Sequence, residues 1–196
     1  MSVDPNAATQ DFPTPREPAG HGRPSAARFL VPALVAAAVA VGLGAYGHVH
    51  DPEGTAFNLA GFSSTSAVKS WLATAAVAFA LLQPVSALML YGRLPGPSWA
   101  GALHRWSGRV AFLLAVPVAV HCLYALGYQT YSTRVLWHSL LGCFFFGAFS
   151  AKMLLLRSRQ LPGWLLPLVG GLVFAALTLI WLTSALWFFR TVGVTT

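Results

Sequence analysis

The chain has 196 residues, of which 56% are hydrophobic and only 9% charged, with a net charge of +7. A soluble domain carries about 25% charged residues, so this sequence cannot cover a water-facing surface. The basic residues sit at the ends of apolar runs rather than on one face, which excludes a phosphate-binding surface and marks membrane orientation instead.

Residues 1–27 are rich in Pro, Gly and Ser and lack apolar periodicity, so they read as a disordered tail. Five apolar runs follow, each near the roughly 20 residues needed to cross about 30 Å of hydrocarbon. They are Phe29 to Gly47, Ser70 to Gly92, Val110 to Tyr128, Val135 to Ala151 and Trp164 to Phe189. Lys152 can snorkel and extend the fourth run to about residue 156. The predicted fold is therefore all-α, a polytopic membrane bundle of about five helices over residues 28–190, with a short tail at 191–196. Pro84 and Pro117 fall mid-span, where a bundle tolerates them because neighbouring helices satisfy the freed carbonyls. Trp71, Trp137, Trp164 and Trp187 fall near span ends, as an interfacial belt requires. The connections after the second span are short, so consecutive helices are expected to be antiparallel neighbours.

Flanking charge predicts orientation. Arg16, Arg23, Arg28, Arg93, Arg105, Arg109, Lys152, Arg157 and Arg159 collect on one side, and Lys69, Arg134 and Arg190 on the other. The first group is expected in the cytoplasm, together with the N-terminus, and the C-terminus outside.

Function narrows to the histidines. His21 lies in the tail. His121 and His138 lie inside spans, and an ionisable group at membrane depth faces the bundle interior by default. Around the turn near residues 129–133 the two fall within about one helical turn of the same depth, in the outer half. Two neutral imidazoles at one depth on different helices are what a bis-histidine haem b requires. Gly142, one turn after His138, leaves room for a flat ring, and Phe145 can pack on its edge. The plainer reading is a hydrogen bond across helices to Ser139, Ser150 or Gln83. A short turn also pulls its two helices together, whereas a haem would hold them apart, so His48 is an alternate outer ligand.

His48 and His50 stand in Gly-His-Val-His-Asp-Pro-Glu with Asp51 and Glu53. This loop can hold a divalent metal, and a solvated polar loop is its plainer reading. His104 precedes the third span, about 25 Å from His121 along one helix. It is read as an interfacial residue paired with Trp or headgroups, or as an alternate ligand. Arg105 and Arg109 can clamp haem propionates or anionic lipid, or simply mark the inner side. Cys122 and Cys143 lie in apolar runs and read as free thiols. No carboxylate lies within a span, and no P-loop, dinucleotide-binding glycine motif or nucleophile elbow occurs.

Leu103-His104-Arg105-Trp106-Ser107-Gly108 and His138-Ser139-Leu140-Leu141-Gly142 resemble the cytochrome b-561 and ferric-reductase-like transmembrane group. Leu161-Pro162-Gly163-Trp164 and the stretch Trp181 to Trp187 are similar to the closing motifs of a bacterial family of five-helix membrane proteins. The resemblance implies a bundle in the bacterial cell membrane that carries haem b and passes electrons to a redox partner protein or quinone, as a carrier rather than a stand-alone enzyme. The second span has no histidine, so the two-haem ligand set of that group is not reproduced. Two other expectations stand beside it: a haem-free structural or assembly subunit packed through Gly142, Gly147, Gly170 and Gly171, and metal handling at the His48/His50 loop.

Overall fold

The computed structural model describes residues 26–52, 62, 64–158 and 161–195. The tail predicted at 1–27 lies almost wholly outside these residues, as does Glu53. The regular structure of the described residues is all helical: α1 (Ala27–Val49), α2 (Thr65–Leu90), α3 (Ala100–His121), a π-helical turn (Cys122–Leu126), α4 (Thr133–Leu155), α5 (Leu165–Thr183) and α6 (Ala185–Val192). Counting the π turn with α3 and joining α6 to α5, five helices among the described residues are long and apolar enough to cross a membrane.

Local chemistry sets the ends. The Ser64 hydroxyl accepts from the Ala67 N–H to start α2, and Ser132 does the same for Val135 at the start of α4. α2 and α3 run on through Pro84 and Pro117. The fifth span breaks at Ser184, whose backbone leaves the helical region. The carbonyl of Thr183 is thereby freed, and Arg134 Nη1 donates to it at 2.5 Å. A cation at a helix C-terminus also meets the negative end of the helix dipole.

Packing departs from the expected chain-order neighbours. α2 lies along α3 and α4 along α5, but α1 packs on α4, and α5 and α6 lean on α2. α3 and α4 are consecutive, yet their backbones do not pack closely. The cause lies in their connection. Tyr128 N–H donates to the Gly47 carbonyl at 2.6 Å, which ties the turn to the end of α1. Gly127 has φ +68°, and a Cβ there would meet the Gly47 carbonyl oxygen at 3.0 Å. Only glycine adopts that backbone and leaves that space at little cost. The chain thus passes over α1 between α3 and α4, and a space opens between them.

α1 and α4 approach through small residues. A Cβ on Gly147 would stand 2.5 Å from the Ala36 carbonyl oxygen and 3.2 Å from the Ala40 Cβ. This is the close backbone approach that drives association where lipid removes the hydrophobic drive. The other glycines expected to pack do not: nothing stands within 4 Å of a Cβ at Gly142 or Gly171, and Gly170 meets only Lys152 Nζ at 4.0 Å. The buried centre is formed by Val77, Ala80, Ala111, Ala115, Phe145, Ala176 and Leu177.

Candidate functional site: a cavity around His138

The space between α3 and α4 is a cavity of about 480 Å³, within the range of small-ligand and cofactor sites. α4 supplies one wall as a stripe at helical spacing: Arg134, His138, Gly142 and Phe145. α3 supplies small residues, Ala115, Val118, Ala119 and Cys122, and α2 supplies Ser66, Lys69, Ser70 and Ala73. α5 and α6 close the remaining side with Leu177, Trp181 and Phe188. Below the cavity an aromatic cluster joins α3 to α4: Phe112 stacks on Phe149 at 3.9 Å and meets Phe146 edge-on at 5.8 Å. Phe145, only 3% exposed, is part of the same floor.

His138 is anchored through its Nδ1, which lies 3.2 Å from Thr183 Oγ1. The Thr183 hydroxyl also lies 2.9 and 3.0 Å from the backbone carbonyls of Leu179 and Ile180. When the hydroxyl donates to one of these carbonyls it can accept from Nδ1–H. In that tautomer the Nε2 lone pair is left for a ligand, the arrangement that orients metal-binding imidazoles.

His104 is arranged in the same way at the other end of the bundle. Its Nδ1 lies 2.9 Å from Ser86 Oγ, and that hydroxyl donates to the Leu82 carbonyl at 2.5 Å. Gln83 Nε2 donates to the His104 carbonyl and to Ser107 Oγ, both at 2.7 Å. Gly108 leaves the room that Gln83 occupies, since a Cβ there would meet the amide at 3.0 Å. His104, Ser107 and Gly108 thus share one face of α3, turned to α2. The interfacial pairing expected for His104 is replaced by a polar clamp between two helices. Gln83→Leu is expected to cost about 1 kcal/mol, the scale of interhelical hydrogen bonds in membranes. The thermal unfolding midpoint in detergent measures it, and an unchanged midpoint would deny the clamp a role in stability.

The remaining sequence candidates are dispersed. His121 is half-buried at the end of α3 but does not line the cavity. His48 is exposed and lines a shallow groove between α1 and α4 with Gly44, Tyr128 and Cys143. His50 is sandwiched between Tyr46 and Tyr124, at centroid distances of 5.1 and 5.0 Å. Its Nε2 is buried without a hydrogen bond. His48 and His50 thus meet different surroundings, and among the described residues no group of three or more His, Cys, Asp or Glu is placed to hold a metal ion. Arg105 and Arg109 are exposed, with Arg109 over the Trp106 ring at 5.0 Å, and neither reaches the cavity. The cations at the cavity are Lys69 and Arg134, which sequence reasoning counted only as orientation charges. Cys122 and Cys143, both free, also line it.

Residues 29–196 match the model of a family of unknown function, DUF6529. The chain belongs to that family. No curated protein and no solved structure matches it. In this DUF6529 protein the family region takes in all five membrane-length helices and every cavity-lining residue.

Proposed function

We propose that this DUF6529 protein is a membrane electron-transfer subunit that holds a haem b in the cavity between α3 and α4, with His138 as an axial ligand. The observation that carries this reading is the His138 imidazole in the cavity wall, anchored through Nδ1 by Thr183. Three further features of the cavity suit a haem. Gly142 leaves open space one turn below His138. The walls are largely aliphatic and aromatic, which suits a porphyrin. The separation of α3 from α4 removes the objection that a short turn would close the space. The fit to a bis-histidine pair is weaker, because His121 is not in the cavity wall. His138 is therefore the ligand this reading relies on, and His121, His48 and His104 are not assigned.

Bound haem would supply one-electron chemistry. The chain supplies the rest. Thr183 anchors the His138 ring, the apolar walls exclude water, and the Phe112–Phe149 stack lies between the cavity and the half of the bundle that contains His104. The resemblance of the His104 and His138 segments to the cytochrome b-561 group supports the same class, as does the partner it implies, a quinone or redox protein. The basic-residue bias supports an orientation with this cavity towards the outer face of the bacterial cell membrane and the N-terminus in the cytoplasm. A reporter fused after Thr196 is expected to be active only outside, and cytoplasmic activity would reverse the orientation.

Protein purified from haem-replete cells is expected to carry one haem b per chain by extraction assay. A folded, haem-free protein that co-purifies with other membrane proteins would favour the assembly-subunit reading instead. The small-residue packing of α1 on α4 is compatible with either, because it is internal to the chain.

A further inference from the structure

The outer end of the cavity lining carries two cations, and among the described residues no carboxylate joins them. Lys69, half-buried on the first turns of α2, and Arg134, at the start of α4, both line it. The one acidic residue among the described residues is Asp51, and it is not in the lining. Arg134 is partly occupied, since Nη1 donates to the Thr183 carbonyl and the guanidinium lies 3.9 Å over the Trp187 ring. A guanidinium has five N–H donors, so most of its donor capacity remains. A half-buried ammonium at the edge of an apolar cavity is costly unless an anion meets it.

The α4 stripe orders the site by depth. Arg134, His138, Gly142 and Phe146 follow one another at one helical turn each, about 6 Å per step. The charge is at the outer end, the His138 imidazole one turn below it, and the apolar floor deepest. We infer that the cavity selects apolar molecules that carry a carboxylate at one end, and that Lys69 and Arg134 hold that carboxylate at the mouth. The inference builds on the haem reading, in which the acid groups are the propionates. The same chemistry is also presented by a long-chain fatty acid. Lys69 is the discriminating residue, because Arg134 also caps α5.

The test uses the full chain in an uncharged detergent. Haem and haem dimethyl ester are titrated by absorbance, and palmitate and methyl palmitate by protection of Cys122 and Cys143 from maleimide. Haem is expected to bind about tenfold tighter than its diester, the scale of a charge-assisted contact. The preference should disappear in Lys69→Gln and return in Lys69→Arg. If neither haem form binds but palmitate, and not its ester, protects the thiols in a Lys69-dependent way, the acid-reading mouth stands and the haem reading falls. Acid and ester binding alike, a preference that survives Lys69→Gln, or no binding of any of the four molecules would overturn the inference.

Discussion

Gly147→Leu is expected to lower the stability of the purified protein by about 3 kcal/mol, the upper part of the usual range for overpacking. The obstacle is backbone: the new Cβ would stand 2.5 Å from the Ala36 carbonyl oxygen, so no side-chain rotation relieves it. α1 has little else to hold it. It packs on α4 and touches the π turn, and only 6% of its apolar window is buried. The variant should show a lower thermal midpoint in detergent and earlier proteolytic release of α1. A midpoint equal to that of the native protein would mean that the α1–α4 contact does not hold the helix.

Gly142→Trp is expected to abolish ligand occupancy, by more than tenfold, while leaving the fold intact. Nothing stands within 4 Å of a Cβ at Gly142, and the residue faces the cavity one turn below His138. A large side chain therefore enters space that no protein atom fills, which avoids the overpacking cost met at Gly147. Haem content and unfolding midpoint, measured on the same preparation, separate the two effects. Full haem content in this variant would put the binding site elsewhere.

The contrast between these two glycines shows what the sequence could convey. Both sit on α4 within long apolar runs, and their letters are identical. One marks a close helix contact and the other faces open space, and only the course of the chain over α1 decides between them. The five membrane-length helices were legible because each is a long apolar run bounded by charge. Their ends were less so. α3 starts at Ala100, well before Val110, because His104, Ser107 and Gly108 recur at helical spacing and face α2, while Arg105 and Arg109 stay exposed. That spacing was readable, but the charges in between looked like a loop. The break at Ser184 has no Gly or Pro to announce it, and Gly127 marks where the π turn ends but not its winding.

The site was legible in part. His138, Gly142 and Phe145 share a cavity wall, as their spacing on one helix required. Helical spacing could also have brought Arg134 into that set, four residues before His138. Lys69, Cys122 and Thr183 join only through tertiary structure. The expected partnership of His121 with His138 rested on depth alone. Depth fixes where a residue lies along the membrane normal and leaves its direction around the helix open. In α3 the direction facing the cavity belongs to Ala115, Val118, Ala119 and Cys122.

Visible absorption spectra of the native protein, His138→Ala and His121→Ala, each oxidised and dithionite-reduced, decide whether His138 holds a haem in this cavity. Haem absorbance that responds to reduction is expected in the native protein, is expected to be lost in His138→Ala and to survive in His121→Ala. A well-folded native protein without haem absorbance, or a His138→Ala variant that keeps it in full, would rule out His138 as the haem ligand.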